Sequence, residues 1–201
     1  MAKTSFNACD VRLMFEQRLD SLDNDTKRCF APIDGLQFAP FPAVLYAFST
    51  VDYFSSAWKG WNDPVFGRKK KKRRNQTKRL VAFLARFIRY GKKESQIAVS
   101  VWRHKLMHTG EPRLVRNKTK TEKYGWEISY ESPDNMKLVP VTGGSATHKL
   151  VLNPLTLAKD LREAVFGAGR YWDQLQDSIL LQARFLRFRN EIKSYTIELY
   201  R

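Results

Sequence analysis

Cysteine is scarce in this chain: Cys9 and Cys29 are the only two among 201 residues. Two widely spaced thiols make no disulfide scaffold, and reduced thiols in a cytoplasmic protein are the expectation. The sequons at Asn75 and Asn117 carry no weight in that compartment. Long apolar runs are missing as well. No stretch approaches the roughly 20 residues that a membrane span needs, and MAKTSFNACDVRLMFEQ has no apolar core of signal-peptide type. VTGGSATHK lacks the spacing of a phosphate-binding P-loop, and no G-x-S-x-G elbow occurs. Acid is in short supply: 20 Asp and Glu face 36 Lys and Arg, for a net charge of +16. Such an excess favours a phosphate polyanion. With no lipidation motif to argue for a membrane surface, nucleic acid is the expected partner.

Apolar side chains are plentiful by contrast, at 43% of residues with 13% aromatic, enough for the core of a single domain over 1–201. Val11, Leu13, Met14, Phe15, Leu19 and Leu22 recur at roughly helical spacing over 9–24. The loop APIDGLQFAPFP follows, broken by prolines and a glycine, and then a strongly apolar helical segment over 43–61. Residues 67–79 read as an exposed basic loop. Arg68, Lys69, Lys70, Lys71, Lys72, Arg73 and Arg74 are consecutive, and like charges that close repel one another. This run is the candidate nucleic-acid contact. One helix is expected from Thr77 or Lys78 to Tyr90. Another should run from Glu94 or Ser95 to about His108, stopped by Gly110 and Pro112.

Residues 113–152 change character. Short segments rich in β-branched and aromatic residues (LVRNKT, YGWEISY, MKLVPV, HKLVLN) alternate with turn-forming SPDN and TGGS. They read as a small antiparallel sheet inserted into a mainly helical domain. Asn153-Pro154 opens the next helix, to about Val165; FGAGR breaks it, and a long final helix covers roughly 170–193.

The stretch WRHKLMHTGEPR, Trp102 to Arg113, carries the motif that decides between chemistries. His104, His108 and the Thr-Gly-Glu-Pro that follows suggest the tail of a zinc finger. That reading fails because no cysteine lies between Cys29 and the C-terminus to supply thiolates. A zincin helix fails as well, because Lys105 stands where the catalytic glutamate of H-E-x-x-H belongs. No metal and no cofactor are expected. Arg103 with His108 is the remaining pair. An arginine is a permanent planar phosphate ligand, and a histidine titrates in the range a general acid/base needs. On an ideal α-helix residues five apart lie about 140° apart in projection, so the pair converges only if the last turn distorts or if both residues line a groove.

RHKLMH resembles the Arg-x4–6-His signature of HEPN domains, with His104 in the polar slot that is often Asn or Asp. The motif stands, as in that family, at the C-terminal end of a helix preceded by others, and the resemblance covers the helical two thirds of the chain. It implies an HEPN-like helical bundle with the 113–152 sheet as an insertion. It also implies RNA binding with metal-independent endoribonuclease activity of defence or toxin type, and a homodimer whose two Arg–His sets share one cleft. Arg103 would bind the scissile phosphate and His108 would act as general acid/base. His104 and Asp52 are supporting candidates, and an antitoxin or other protein partner is implied. Where HEPN toxins paired with nucleotidyltransferases usually carry Tyr two residues after the His, this chain has Gly110. The alternative from the same residues is a non-catalytic nucleic-acid-binding or assembly protein whose histidines cap a helix.

Overall fold

The computed structural model describes residues 5–30, 39–59, 76–106, 114–116, 119–132 and 134–195; of these, the side chains of 103–106 and 193–195 are not described. The basic run Arg68–Arg74 and His108 lie outside the described residues, as do Gly110 and Pro112.

The architecture is mainly helical with a small four-stranded sheet between two helical halves. Helix α1 (Ala8–Phe30) and helix α2 (Pro40–Lys59) come first. Helix α3 (Gln76–Phe83) runs into wide π-helical turns at Leu84–Ile88, and helix α4 (Lys92–Ala98) into a second π-helical stretch at Val99–Leu106. Strands β1 (Val115–Arg116), β2 (Lys123–Ile128), β3 (Lys137–Pro140) and β4 (His148–Leu152) follow. Helices α5 (Pro154–Phe166), α6 (Tyr171–Asp177) and α7 (Ile179–Tyr195) complete the fold.

Helix α2 is the centre of the bundle because it is apolar almost all round, the pattern of a helix covered on every side. Ala43, Val44, Ala47, Phe48, Val51, Phe54, Ala57 and Trp58 are all buried, and α1, α3, α5, α7 and the Val99–Leu106 stretch pack against it. Helix α1 supplies the facing stripe, Val11, Phe15, Leu19 and Leu22, at i, i+4, i+8 and i+11. Phe15 is the aromatic hub: its ring lies 5.0 Å from Phe54, 5.9 Å from Tyr171 and 5.6 Å from Phe185. Truncating so enclosed a ring costs about 3–5 kcal/mol.

The sheet corrects one expectation. Its order is β1-β2-β4-β3, and it is mixed: β1–β2 and β3–β4 are antiparallel, but β2 and β4 run parallel, with Trp126 beside Leu150. Burial and proline chemistry explain the arrangement. In β4, Leu150, Val151 and Leu152 are all buried, so this strand takes an interior place. Pro140 cannot donate a ladder hydrogen bond, so β3 takes an edge. The β3–β4 hairpin turns through Gly143 and Gly144, at φ of 88° and 87°, a conformation glycine adopts without a Cβ penalty.

Asparagines join the sheet to the bundle. Asn153 caps α5 by accepting from the Thr156 amide at 3.1 Å, and its own amide group donates to the Ser132 carbonyl at 2.8 Å. Asn135 accepts from the Asn153 backbone N–H at 2.9 Å and donates to Tyr90 Oη and Asp160. Tyr90 Oη in turn donates to Asp160. The final helix is expected as one piece over 170–193, but Ser178, at φ −117° and ψ 106°, divides it into α6 and α7. Ser178 then acts as a cap, its hydroxyl accepting from the Leu181 amide at 3.3 Å.

Candidate nucleic-acid interface

The structure places Arg103 and His104 within the π-helical stretch Val99–Leu106, directly after Trp102 and about one turn beyond Ser100 on the same continuous helix. Trp102 anchors that stretch. Its ring is fully buried, 5.2 Å from Trp126 of β2, and its indole N–H has no hydrogen-bond partner among the described residues. An i→i+5 winding holds about 4.4 residues per turn, so residues five apart fall within about 50° of one another. The described winding ends at Leu106, and His108 lies outside the described residues. Extra-wide turns of this kind are rare and recur at functional sites.

Asp52 does not stand free beside the motif. Its Oδ1 takes a 2.9 Å ion pair from Arg79, and its Oδ2 accepts from Gln76 Nε2 at 2.6 Å. Arg79 Nε also donates to Ser55 Oγ at 3.3 Å. This cluster pins the first turn of α3 to α2, just after the basic run.

The preceding turns of the Arg103 helix line an open cleft of about 410 Å³ against the β1 edge of the sheet. Lys93, Gln96, Ile97 and Ser100 line it from the helix, and Val115, Arg116, Glu122 and Tyr124 line it from the sheet side. Ile97 and Tyr124 are buried floor, while Gln96 and Arg116 are exposed. Lys93 Nζ lies 3.4 Å from Glu122 and 5.2 Å from the centroid of the Tyr124 ring, and Tyr124 Oη donates to the Glu122 carboxylate. The Tyr124 hydroxyl, with Glu122, holds the Lys93 ammonium above the usual lysine range. Burial, with the Glu122 hydrogen bond, pushes the Tyr124 phenol up. Ser100 donates its hydroxyl proton to the Gln96 carbonyl at 2.8 Å, which leaves its oxygen lone pairs turned to acceptance. Lys78, Arg86, Arg89 and Lys92 are further exposed cations on α3, its wide turns and the approach to α4.

Sequence reasoning missed this cleft. Its signal was present in the Lys93, Gln96, Ser100 series at i, i+3 and i+7, a polar stripe on a helix otherwise read by its apolar face. Its other wall comes from β1 and the start of β2, which no local pattern ties to that stripe.

Among the described residues no group of three or more His, Cys, Asp or Glu could hold a metal ion, and no helix is long and apolar enough to cross a membrane. Comparisons with protein-family models, with curated proteins and with solved structures find nothing that matches this chain.

Proposed function

We propose that this chain is an RNA-binding protein of HEPN type that cleaves RNA without a metal ion, in a defence or toxin role. The observation that carries the reading is the winding of its motif helix: Arg103 and His104 sit on wide π-helical turns, a winding that, carried on to residue 108, would bring residues five apart within about 50° of one another. The cleft with Lys93 and Arg116 on the same helix and the neighbouring strand adds a cationic approach to that face. The +16 charge supplies sequence-independent attraction to phosphate.

In this reading the nucleophile is the RNA's own 2′-hydroxyl. His108 moves the proton, and Arg103 balances the charge that develops on the phosphorane. His104 serves as a second phosphate ligand. A homodimer brings two Arg–His sets to one cleft, and an antitoxin-like partner would cover it. Asp52 is assigned to the α2–α3 ion pair instead of the reacting centre.

The test is cleavage of labelled single-stranded RNA with excess chelator. Wild-type protein should cut and leave a cyclic or 3′ phosphate, and it should fail on DNA. Arg103→Ala and His108→Ala should each abolish cutting while keeping most of the RNA affinity. Loss of activity in EDTA, restored by Zn²⁺ or Mg²⁺, would overturn the mechanism. Tight RNA binding with no cleavage under any condition would leave a binding module.

A further inference from the structure

The cleft between α4 and the β1–β2 edge has a composition that a bare phosphate site would not need. Its two cations are not equivalent. Lys93 is paired with Glu122 at 3.4 Å, whereas Arg116 has no ion-pair partner among the described residues. A carboxylate in the wall repels a free anion, yet it accepts hydrogen bonds from hydroxyl groups. Ile97 in the floor and Val115 on the sheet side provide apolar surface, and Gln96 presents an amide able both to donate and to accept. The volume of about 410 Å³ falls in the range of small-molecule sites.

We propose that this cleft seats one ribonucleotide. The phosphate lies on the Arg116 guanidinium, whose planar fork suits bidentate phosphate binding. The base rests on the apolar surface of Ile97 and Val115, with its edge read by Gln96 and the Ser100 oxygen. The ribose hydroxyls donate to Glu122, which Lys93 and Tyr124 hold in place. An acceptor at the 2′-hydroxyl is what distinguishes RNA from DNA at a given position. The ribonucleotide is either part of an RNA strand, which rests on the RNA reading above, or a free nucleotide, and the two sources share this chemistry. Within a strand, the site holds one unstacked nucleotide beside the helix that leads into the motif.

The experiment has two arms on the full chain. In the first, calorimetry measures binding of the four ribonucleoside 5′-monophosphates, their 2′-deoxy counterparts and inorganic phosphate. In the second, fluorescence anisotropy measures a short single-stranded RNA and the DNA of the same sequence at fixed salt. Ribonucleotides should bind about tenfold tighter than deoxynucleotides, and phosphate alone should not compete. Arg116→Ala and Gln96→Ala, both exposed positions, should each weaken ribonucleotide binding about tenfold, the worth of one good charge-assisted or base-edge contact. Glu122→Gln should erase the ribo-over-deoxy preference and, by releasing Lys93, let inorganic phosphate bind. A parallel loss in the RNA arm identifies the ligand as a strand, whereas a loss confined to monophosphates identifies it as free nucleotide. Unchanged binding of both in all three variants overturns the proposal, as does phosphate competing as well as nucleotide. Both arms read binding, so they stand apart from the cleavage assay: inactive RNA cutting with cleft-dependent binding removes only the catalytic reading.

Discussion

Removing the Asp52 carboxylate asks whether that residue belongs to the chemistry or to the frame. The Asp52–Arg79 pair is mostly covered, with 21% and 11% of the two side chains exposed, at 2.9 Å. At an effective dielectric near 20, two unit charges at that distance attract by about 6 kcal/mol, most of which desolvation offsets. Taking away one partner is different, because the other charge stays covered and unpaired. A fully buried pair loses about 3–5 kcal/mol in that case, and the residual exposure here reduces it to about 2–3 kcal/mol. Asp52→Ala also strands Gln76 Nε2, which donates at 2.6 Å. The expected result is a fall of about 5–10 °C in melting temperature for a domain of this size. Arg79→Ala should fall similarly, and the double variant should lose much less than the sum, giving a coupling of about 1–3 kcal/mol. Urea melts of the four proteins close the cycle, with RNA cleavage followed at a temperature where all are folded. A coupling below about 0.5 kcal/mol, together with a collapse of cleavage in Asp52→Ala alone, would refute this reasoning and return Asp52 to a supporting role at the site.

Tyr171→Phe should stabilise the protein by about 1 kcal/mol, because the Tyr171 hydroxyl, buried against Phe15, Phe54, Phe83 and Phe87, has no hydrogen-bond partner among the described residues; a loss of stability in urea would show that the hydroxyl is satisfied. Burial, and then the hydrogen bond to Asp160, holds Tyr90 above the ordinary tyrosine range, so the folded chain keeps a proton that the unfolded chain gives up near pH 10. That contribution is intact below about pH 10 and is lost as pH rises further. Tyr90→Phe should therefore lower stability by about 1–2 kcal/mol at neutral pH and flatten the alkaline decline; an equally steep decline in the variant would remove Tyr90 as its source. Replacing Arg68–Arg74 with serine should reduce the slope of log affinity for single-stranded RNA against log salt by up to about 5, at about 0.7 per phosphate contact. An unchanged slope would place the run away from the RNA.

The helical half of the fold was legible because its signals are local. The apolar stripe of α1, the all-round apolarity of α2 and the Asn153-Pro154 start of α5 each need only a few neighbouring residues. The helix ends were less so: α1 runs to Phe30 although its apolar period weakens after Leu22, since Thr26 still turns inward. The parallel pairing of β2 with β4 could not be read, because each strand alone looks like a hairpin partner and only Pro140 hints that β3 belongs outside. The break at Ser178 was hidden in a sequence with unbroken helical periodicity. The π-helical winding of Val99–Leu106 left no compositional trace at all. Within that stretch Trp102 packs against Trp126 of the sheet, a contact between segments far apart in sequence.

The pairing of α1 with the C-terminal helices also has a consequence for how the chain is made. Phe15 meets Tyr171, Trp172 and Phe185, and Asp20 meets Arg162, 142 residues away. A ribosome adding roughly 5–20 residues per second needs roughly 10–30 s after α1 emerges before those partners exist. During that interval only α2 can shelter the stripe of Val11, Phe15, Leu19 and Leu22. A chain truncated before α5 would lack those partners and leave part of that stripe uncovered, the kind of exposed apolar surface that favours aggregation.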